Sequence, residues 1–309
     1  MNSFYFAYGM VISSDPKLPE LLAIDDDNQP DLTIKIGTIE WEPAHTVTVD
    51  ECIVQVEVGV AYFCWANVGK FMAREGREVI IEPAPQVEES TLRLFLLGAV
   101  LAAILHQRGF LVLHASAVEL EEQALVFMGE KGYGKSTLVA SLHVQMKNDF
   151  TVLADDIVAL DWQSNGEAVV LPGFPQMKLG SDAMSSLGID EKVTVPLHPL
   201  LEKSGYRAKR FRTSPVILRN MYVLSYGDEI CIERLTRQDA FLSLMRHSFL
   251  GRHIAATGRA VQHFDQCTKI ANSVPIDRLN RPRSLGLLQN LADTLTDELR
   301  VSSAVAESY

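Results

Sequence analysis

Short β-type stretches separated by Asp, Pro and Gly fill the first part of the chain, at residues 32–36, 46–49, 53–58 and 79–81. They predict a small β-rich N-terminal domain. Pro83 and Pro85 interrupt the pattern, and Glu88-Glu89-Ser90 after them suits the start of a helix. A domain boundary is expected there, dividing the chain into residues 1–86 and 87–309.

The apolar run at residues 92–105 contains Arg93 and leads into His106, Gln107 and Arg108. It falls short of the ~20 residues that cross a bilayer, so a buried helix is expected and membrane association is not.

From Gly109 onward the pattern alternates. An apolar strand at 110–118 and a second at 124–128 flank the acidic turn at 119–122, and the second strand runs into glycines. Leu138, Val139, Leu142 and Met146 recur at helical spacing from Lys135, and the short apolar stretch 151–154 ends in two aspartates. This is a βαβ unit, and it predicts an α/β fold. Further strands are expected at 157–160, 168–171 and 216–225, with helix over most of 238–272 and 283–300, a helical C-terminal extension.

The glycines carry the first chemistry. Gly129, Gly132, Tyr133, Gly134, Lys135 and Ser136 fall in a GxxxxGK[ST] pattern that wraps a phosphate in backbone N–H groups, with Thr137 next to it as a further nucleotide-binding residue. Lys135 would neutralise the phosphate and Ser136 would reach Mg²⁺, so ATP and Mg²⁺ are the expected cofactors. Asp155 and Asp156 lie 19 and 20 positions beyond Ser136, room for the helix, a turn and a neighbouring parallel strand. Ligands in open α/β sheets bind at the carboxyl ends of strands, so one aspartate suits a metal and the other a hydroxyl proton. Spacing alone leaves open which does which.

His114 lies in the strand expected beside the loop strand, positioned for a core role or for a reacting phosphate. Lys203, Arg207, Lys209, Arg210 and Arg212 crowd ten residues, a mobile basic loop or a phosphate clamp, with Lys209 and Arg210 the preferred pair.

Charge narrows the partners. With 28 Lys and Arg against 39 Asp and Glu, net charge −11, broad binding to nucleic acid or anionic lipid is not expected, and any anion site is local. The aromatic stretches around Tyr5 and Phe63 read as strand core, and the remaining histidines show no metal-ligand spacing. The four scattered cysteines suit buried thiols in a reducing compartment, and the N-terminus lacks a signal-peptide pattern, so a cytoplasmic protein is expected.

Taken in order, LVLHASAV, GEKGYGKST, VLADD and PGFPQMKL resemble the catalytic domain of the HPr kinase family of P-loop protein serine kinases, over residues 92–225. The upstream LFLLGAVLAAILHQRGFLVLHAS, the segment LRNMYVLSY and the later VPIDRLNRPR resemble shorter HPr-kinase-like proteins encoded with lasso peptide genes, which phosphorylate a precursor peptide's C-terminal serine. The resemblance implies an α/β P-loop kinase core of the HPr kinase C-terminal type. In it His114 stands near the reacting phosphate, Asp155 matches the base and Asp156 the metal-associated acid. A peptide or small-protein serine is the implied substrate, and a homo-oligomer is expected. Lys131 stands where the family commonly has serine, and no glycine-rich phosphorylase signature follows the core, so dephosphorylation is not expected. Two other readings are kept: a kinase for a small hydroxyl compound such as free serine, and an ATP-sensing module that transfers nothing.

Overall fold

The computed structural model describes residues 3–25, 29–48, 51–145, 149–198 and 202–306. Among them, eight strands form a first sheet: β1 (Ser3–Ala7), β2 (Met10–Ser14), β3 (Leu22–Ala23), β4 (Leu32–Ile36), β5 (Cys52–Glu57), β6 (Val60–Trp65), β7 (Gly69–Arg74) and β8 (Glu78–Pro83). The strand expected at 46–49 does not form over its described part, residues 46–48. Then come helices α1 (Glu89–Phe95) and α2 (Leu101–Gln107), joined by a π-turn with a kink at Gly98. The helical stretch is longer than the apolar run implied. By length and composition its 19 residues, Glu89–Gln107, could cross a membrane, but 61% of its most apolar window is buried against the protein.

The second sheet holds β9 (Leu111–Leu113), β10 (Ala115–Leu120), β11 (Gln123–Met128), β12 (Phe150–Ala154), β13 (Val158–Trp162) and β14 (Ala168–Leu171). A small third sheet follows, made of β15 (Gln176–Gly180), β16 (Thr194–His198) and β17 (Lys203–Arg207). The chain then returns to the second sheet with β18 (Val216–Tyr226), β19 (Cys231–Arg234) and β20 (Ile276–Arg281). Helix α3 (Lys135–Gln145) follows β11, α4 (Ser181–Ser186) follows β15, and α5 (Arg237–His247), α6 (Ala260–Ser273) and α7 (Leu288–Ala306) complete the mixed α/β architecture.

Period-two alternation explains why the second sheet is covered on both faces. Leu125 and Phe127 of β11 point into the core shared with Leu138 and Leu142 of α3 and Leu291 of α7. Ala124, Val126 and Met128 point the other way, toward Leu244 of α5 and Ile270 of α6. At the β9–β13–β14 end, Val112, Ala159 and Val169 join a third cluster with α1, α2 and the first sheet.

Two expectations change here. The 110–118 strand breaks at His114, so β9 pairs with β13 while β10 pairs with β11 and β12. The C-terminal part is no appended helical extension: β20 pairs in parallel with β18 inside the sheet, and α7 packs with α3 over the sheet core.

Beyond the core shared by the two sheets, Tyr8 adds a hydrogen-bonded tie between them. This residue turns the β1–β2 hairpin at φ 53, is 2% exposed, and donates its hydroxyl to the Ile157 carbonyl at 3.0 Å and its N–H to Pro172 O at 2.8 Å. A Cβ on Gly173 would meet the Tyr8 hydroxyl at 2.7 Å, so that position accepts only glycine while Tyr8 is seated.

Candidate functional site

Strand β11 ends at Met128 and the chain passes through residues 129–134 into the first turn of α3. Gly132 and Gly134 take φ values of 86 and 74, which side-chain-bearing residues rarely adopt. Gly134 is doubly constrained, because an added Cβ would stand 2.6 Å from Arg281 Nη2. Lys135 is buried and donates to the carbonyls of Gly129 at 2.7 Å and Glu130 at 3.3 Å. Burial pulls its ammonium below the usual lysine range, an effect that Asp156 and Asp155 oppose. Ser136 and Thr137 follow in the first helical turn, half-buried, and the Lys131 side chain is exposed.

Strands β11 and β12 are both antiparallel to β10, on opposite sides of it. They are therefore parallel to each other, but one strand apart, and the expected adjacency is corrected. The consequence for the site is small, since both strands still present their carboxyl ends at one edge. Asp155 and Asp156 emerge there, close enough to shift the Lys135 equilibrium.

The two aspartates have different surroundings. Asp155 is 5% exposed, accepting from the Ser116 hydroxyl of β10 at 2.6 Å and from the Lys178 N–H at 2.9 Å. Asp156 sits at φ 74, a costly conformation for a residue with a Cβ, and its side chain is 28% exposed. Its Oδ2 pairs with Lys178 Nζ at 2.7 Å, and its Oδ1 lies 3.2 Å from His114 Nδ1. Burial opposes its ionisation, yet Lys178 and His114 outweigh burial and hold the carboxyl well below the usual range.

His114 stands at the break between β9 and β10. Its N–H donates to His247 O at 2.7 Å, its Nδ1 also lies 3.1 Å from the Asp156 carbonyl, and Phe249 meets its ring edge-on. Both neighbours of Nδ1 are acceptors, so Nδ1 donates to Asp156, and Nε2 has no hydrogen-bond partner among the described residues. His247 is buried, and desolvation pushes it down to about 4, so it is neutral at pH 7.

Sequence reasoning missed two cations. Lys178, in the PGFPQMKL stretch, supplies the main partner of Asp156. Arg281, at the end of β20, is 8% exposed and donates Nη2 to Tyr133 O at 2.5 Å, while the Tyr226 hydroxyl donates to Gly132 O at 3.0 Å. These two contacts brace the outside of the glycine loop. The VPIDRLNRPR stretch contained the signal for Arg281, but only its register with β18 delivers the side chain to the loop.

Lys209 and Arg210 are not brought to the loop. Arg210 donates to Phe150 O at 3.0 Å and Lys209 N–H donates to His143 Nε2 at 3.2 Å. Those partners mark the start of β12 and the last turns of α3, the ends opposite to Asp155 and Lys135. The basic stretch is used as β17 and as a cover along the β12 edge, where Phe211 bridges to Val152. Lys203 is the member of the stretch whose charge reaches Lys135. The cysteines also differ from expectation: Cys52 and Cys231 are exposed, and Cys267 is buried.

Mg²⁺ commonly takes one or two carboxylates and fills its octahedron with phosphate oxygens and water. Among the described residues no cluster of three or more His, Cys, Asp or Glu gathers into a cage. Ser136 and the Asp155–Asp156 turn would be its candidate ligands, too few to hold it without phosphate oxygens and water.

Fold and site together define a mixed α/β protein with a strand–glycine loop–helix unit facing an acidic turn. No family model matches the chain. No curated protein matches it either. Among solved structures, the HPr(Ser) kinase/phosphatase from Coxiella burnetii is similar over 62% of this chain and 98% of that one, at 12% identity and a TM-score of 0.34.

Proposed function

We propose that the protein is an ATP-dependent kinase that transfers the γ-phosphate to a serine hydroxyl. The observation that carries the reading is the convergence of Lys135, Asp155, Asp156 and His114 at one sheet edge. A nucleotide sensor needs the loop and a metal ligand but has no use for a second carboxylate beside them.

The loop N–H groups and Lys135 hold the phosphates, Lys135 exchanging its loop carbonyls for phosphate oxygens. Ser136 and Asp156 would hold Mg²⁺, which would supply positive charge against the phosphates. Asp156 suits that task because a carboxylate held so far toward ionisation is a weak proton acceptor. Asp155 takes the hydroxyl proton, its two oxygens oriented by Ser116 and the Lys178 N–H. His114 and Lys178 offset charge on the moving phosphoryl group. The resemblance in motif order supports serine as the acceptor and the C-terminal serine of a lasso precursor peptide as the substrate.

Incubation with γ-labelled ATP, Mg²⁺ and a panel of serine-terminated peptides, HPr-like proteins and free serine tests the proposal. Label on a serine-terminated peptide is the expected result. Label on free serine alone would change the acceptor, and normal ATP binding with no labelled acceptor would replace the kinase by a sensor.

A further inference from the structure

A cavity of about 370 Å³ opens away from the phosphate loop, between the β5–β6 turn, the end of α2 and the segment entering α6. That is the size of a small-molecule site. Its floor is apolar, with Ala61 and Ala103 both 1% exposed. Its charged groups divide between two walls: the Glu75 carboxylate lies over Gly59 on the first-sheet side, whereas Glu57 turns its carboxylate to Gln55 on the other face of the strand, and the Arg259 guanidinium comes from the α6 side.

Arg259 is fixed by donating Nη2 to Gln107 O at 2.8 Å and Nη1 to Gln262 Oε1 at 2.7 Å. A guanidinium has five N–H donors, so these bonds hold the group in place without exhausting it. Between the walls stands His106, 4% exposed, whose Nδ1 has no hydrogen-bond partner among the described residues. A buried nitrogen left in that state is destabilising, and functional sites commonly carry such groups. Desolvation, then His263 and Arg259, push His106 down to about 4, so it adds no charge at pH 7.

We propose that this cavity binds a free α-amino acid, with its ammonium toward Glu75, its carboxylate toward Arg259 and its side chain on the apolar floor. Opposed walls of opposite charge across a small apolar space match a zwitterion better than a simple anion or cation. The same cavity is wired to the phosphate site. Leu250, on its wall, takes a left-handed φ of 55 directly after Phe249, which packs on His114. His247, three residues earlier, accepts the His114 N–H, and Ser248 between them bonds His263, whose ring stacks on His106 at 6.3 Å. A ligand that orders Leu250 therefore acts on the residues that place His114.

The test is calorimetry and thermal denaturation of the full chain with each of the twenty common L-amino acids. At least one is expected to raise the melting temperature and bind, and its N-acetyl and methyl-ester forms, each lacking one charge, are expected to fail. Glu75→Gln and Arg259→Ala are each expected to weaken binding by about tenfold or more. Glu75 is exposed, so Glu75→Gln decides the matter if Arg259→Ala does not fold. Absence of binding by every amino acid overturns the proposal, as does equal binding of the blocked forms or full affinity in Glu75→Gln.

Discussion

The phosphate loop and the aspartate turn share one edge of a sheet but are held in opposite ways. In the loop, Lys135 spends its donors on the carbonyls of its own backbone, contacts that a phosphate would have to replace. In the turn, Asp155 and Asp156 are fixed by Ser116, Lys178 and His114, side chains that need not move for a substrate to arrive. In the proposed kinase one half of the site would rearrange on binding, and the other half is preorganised. Substitutions in the loop should therefore register in binding, and substitutions in the turn in the chemical step.

The sharpest division comes from Asp155→Asn. An amide can accept from the Lys178 N–H and donate to Ser116, so the fold survives, and nucleotide affinity measured by calorimetry should stay near wild type. Labelled phosphate transfer should fall about 10²–10⁴-fold, the usual size of a lost general base. Full transfer by this variant would remove Asp155 from the base position. Lys135→Ala should show the converse, weakening nucleotide about tenfold to a hundredfold through loss of charge-assisted bonds to phosphate.

Lys178→Met tests whether the turn is held electrostatically. Asp156 is depressed in the folded state, so its contribution is present above the ordinary carboxyl range and is lost as pH falls through the folded value. Without Lys178 that folded value rises, and acid unfolding followed by circular dichroism should begin at higher pH. At neutral pH the loss should be about 1 kcal/mol, reduced by solvent because 28% of the Asp156 side chain is exposed. The smallest effect belongs to the far end of β12. Arg210→Ala should cost about 1 kcal/mol of stability through its bond to Phe150 O and leave nucleotide affinity unchanged, as should Lys209→Ala. A marked loss of nucleotide in either variant would restore a phosphate role to that pair.

The same contrast governs what could be read from the chain. The loop, α3 and the strands around it are local patterns, and their bounds agree with the sequence within a residue or two. Pairing is not local. Nothing in the 19-residue spacing said that β10 would lie between β11 and β12, or that the strand would break at His114 to serve two places in the sheet. Lys178 and Arg281 were invisible for a related reason, since their partners lie 22 and 148 residues away. The basic stretch misled because a charge cluster carries no information about which end of a strand it will cover.

Tyr8 and Gly173 bear on how such proteins can be recombined. The ring fills the space that a Cβ on Gly173 would need, and its hydroxyl closes on the carbonyl directly after Asp156. A chimera that grafts a foreign first sheet onto residues 87–309 would have to import a tyrosine at the hairpin tip or leave a hole beside the aspartates. Exchange of N-terminal units thereby favours donors that bring a tyrosine to that position, since Gly173 stays with residues 87–309.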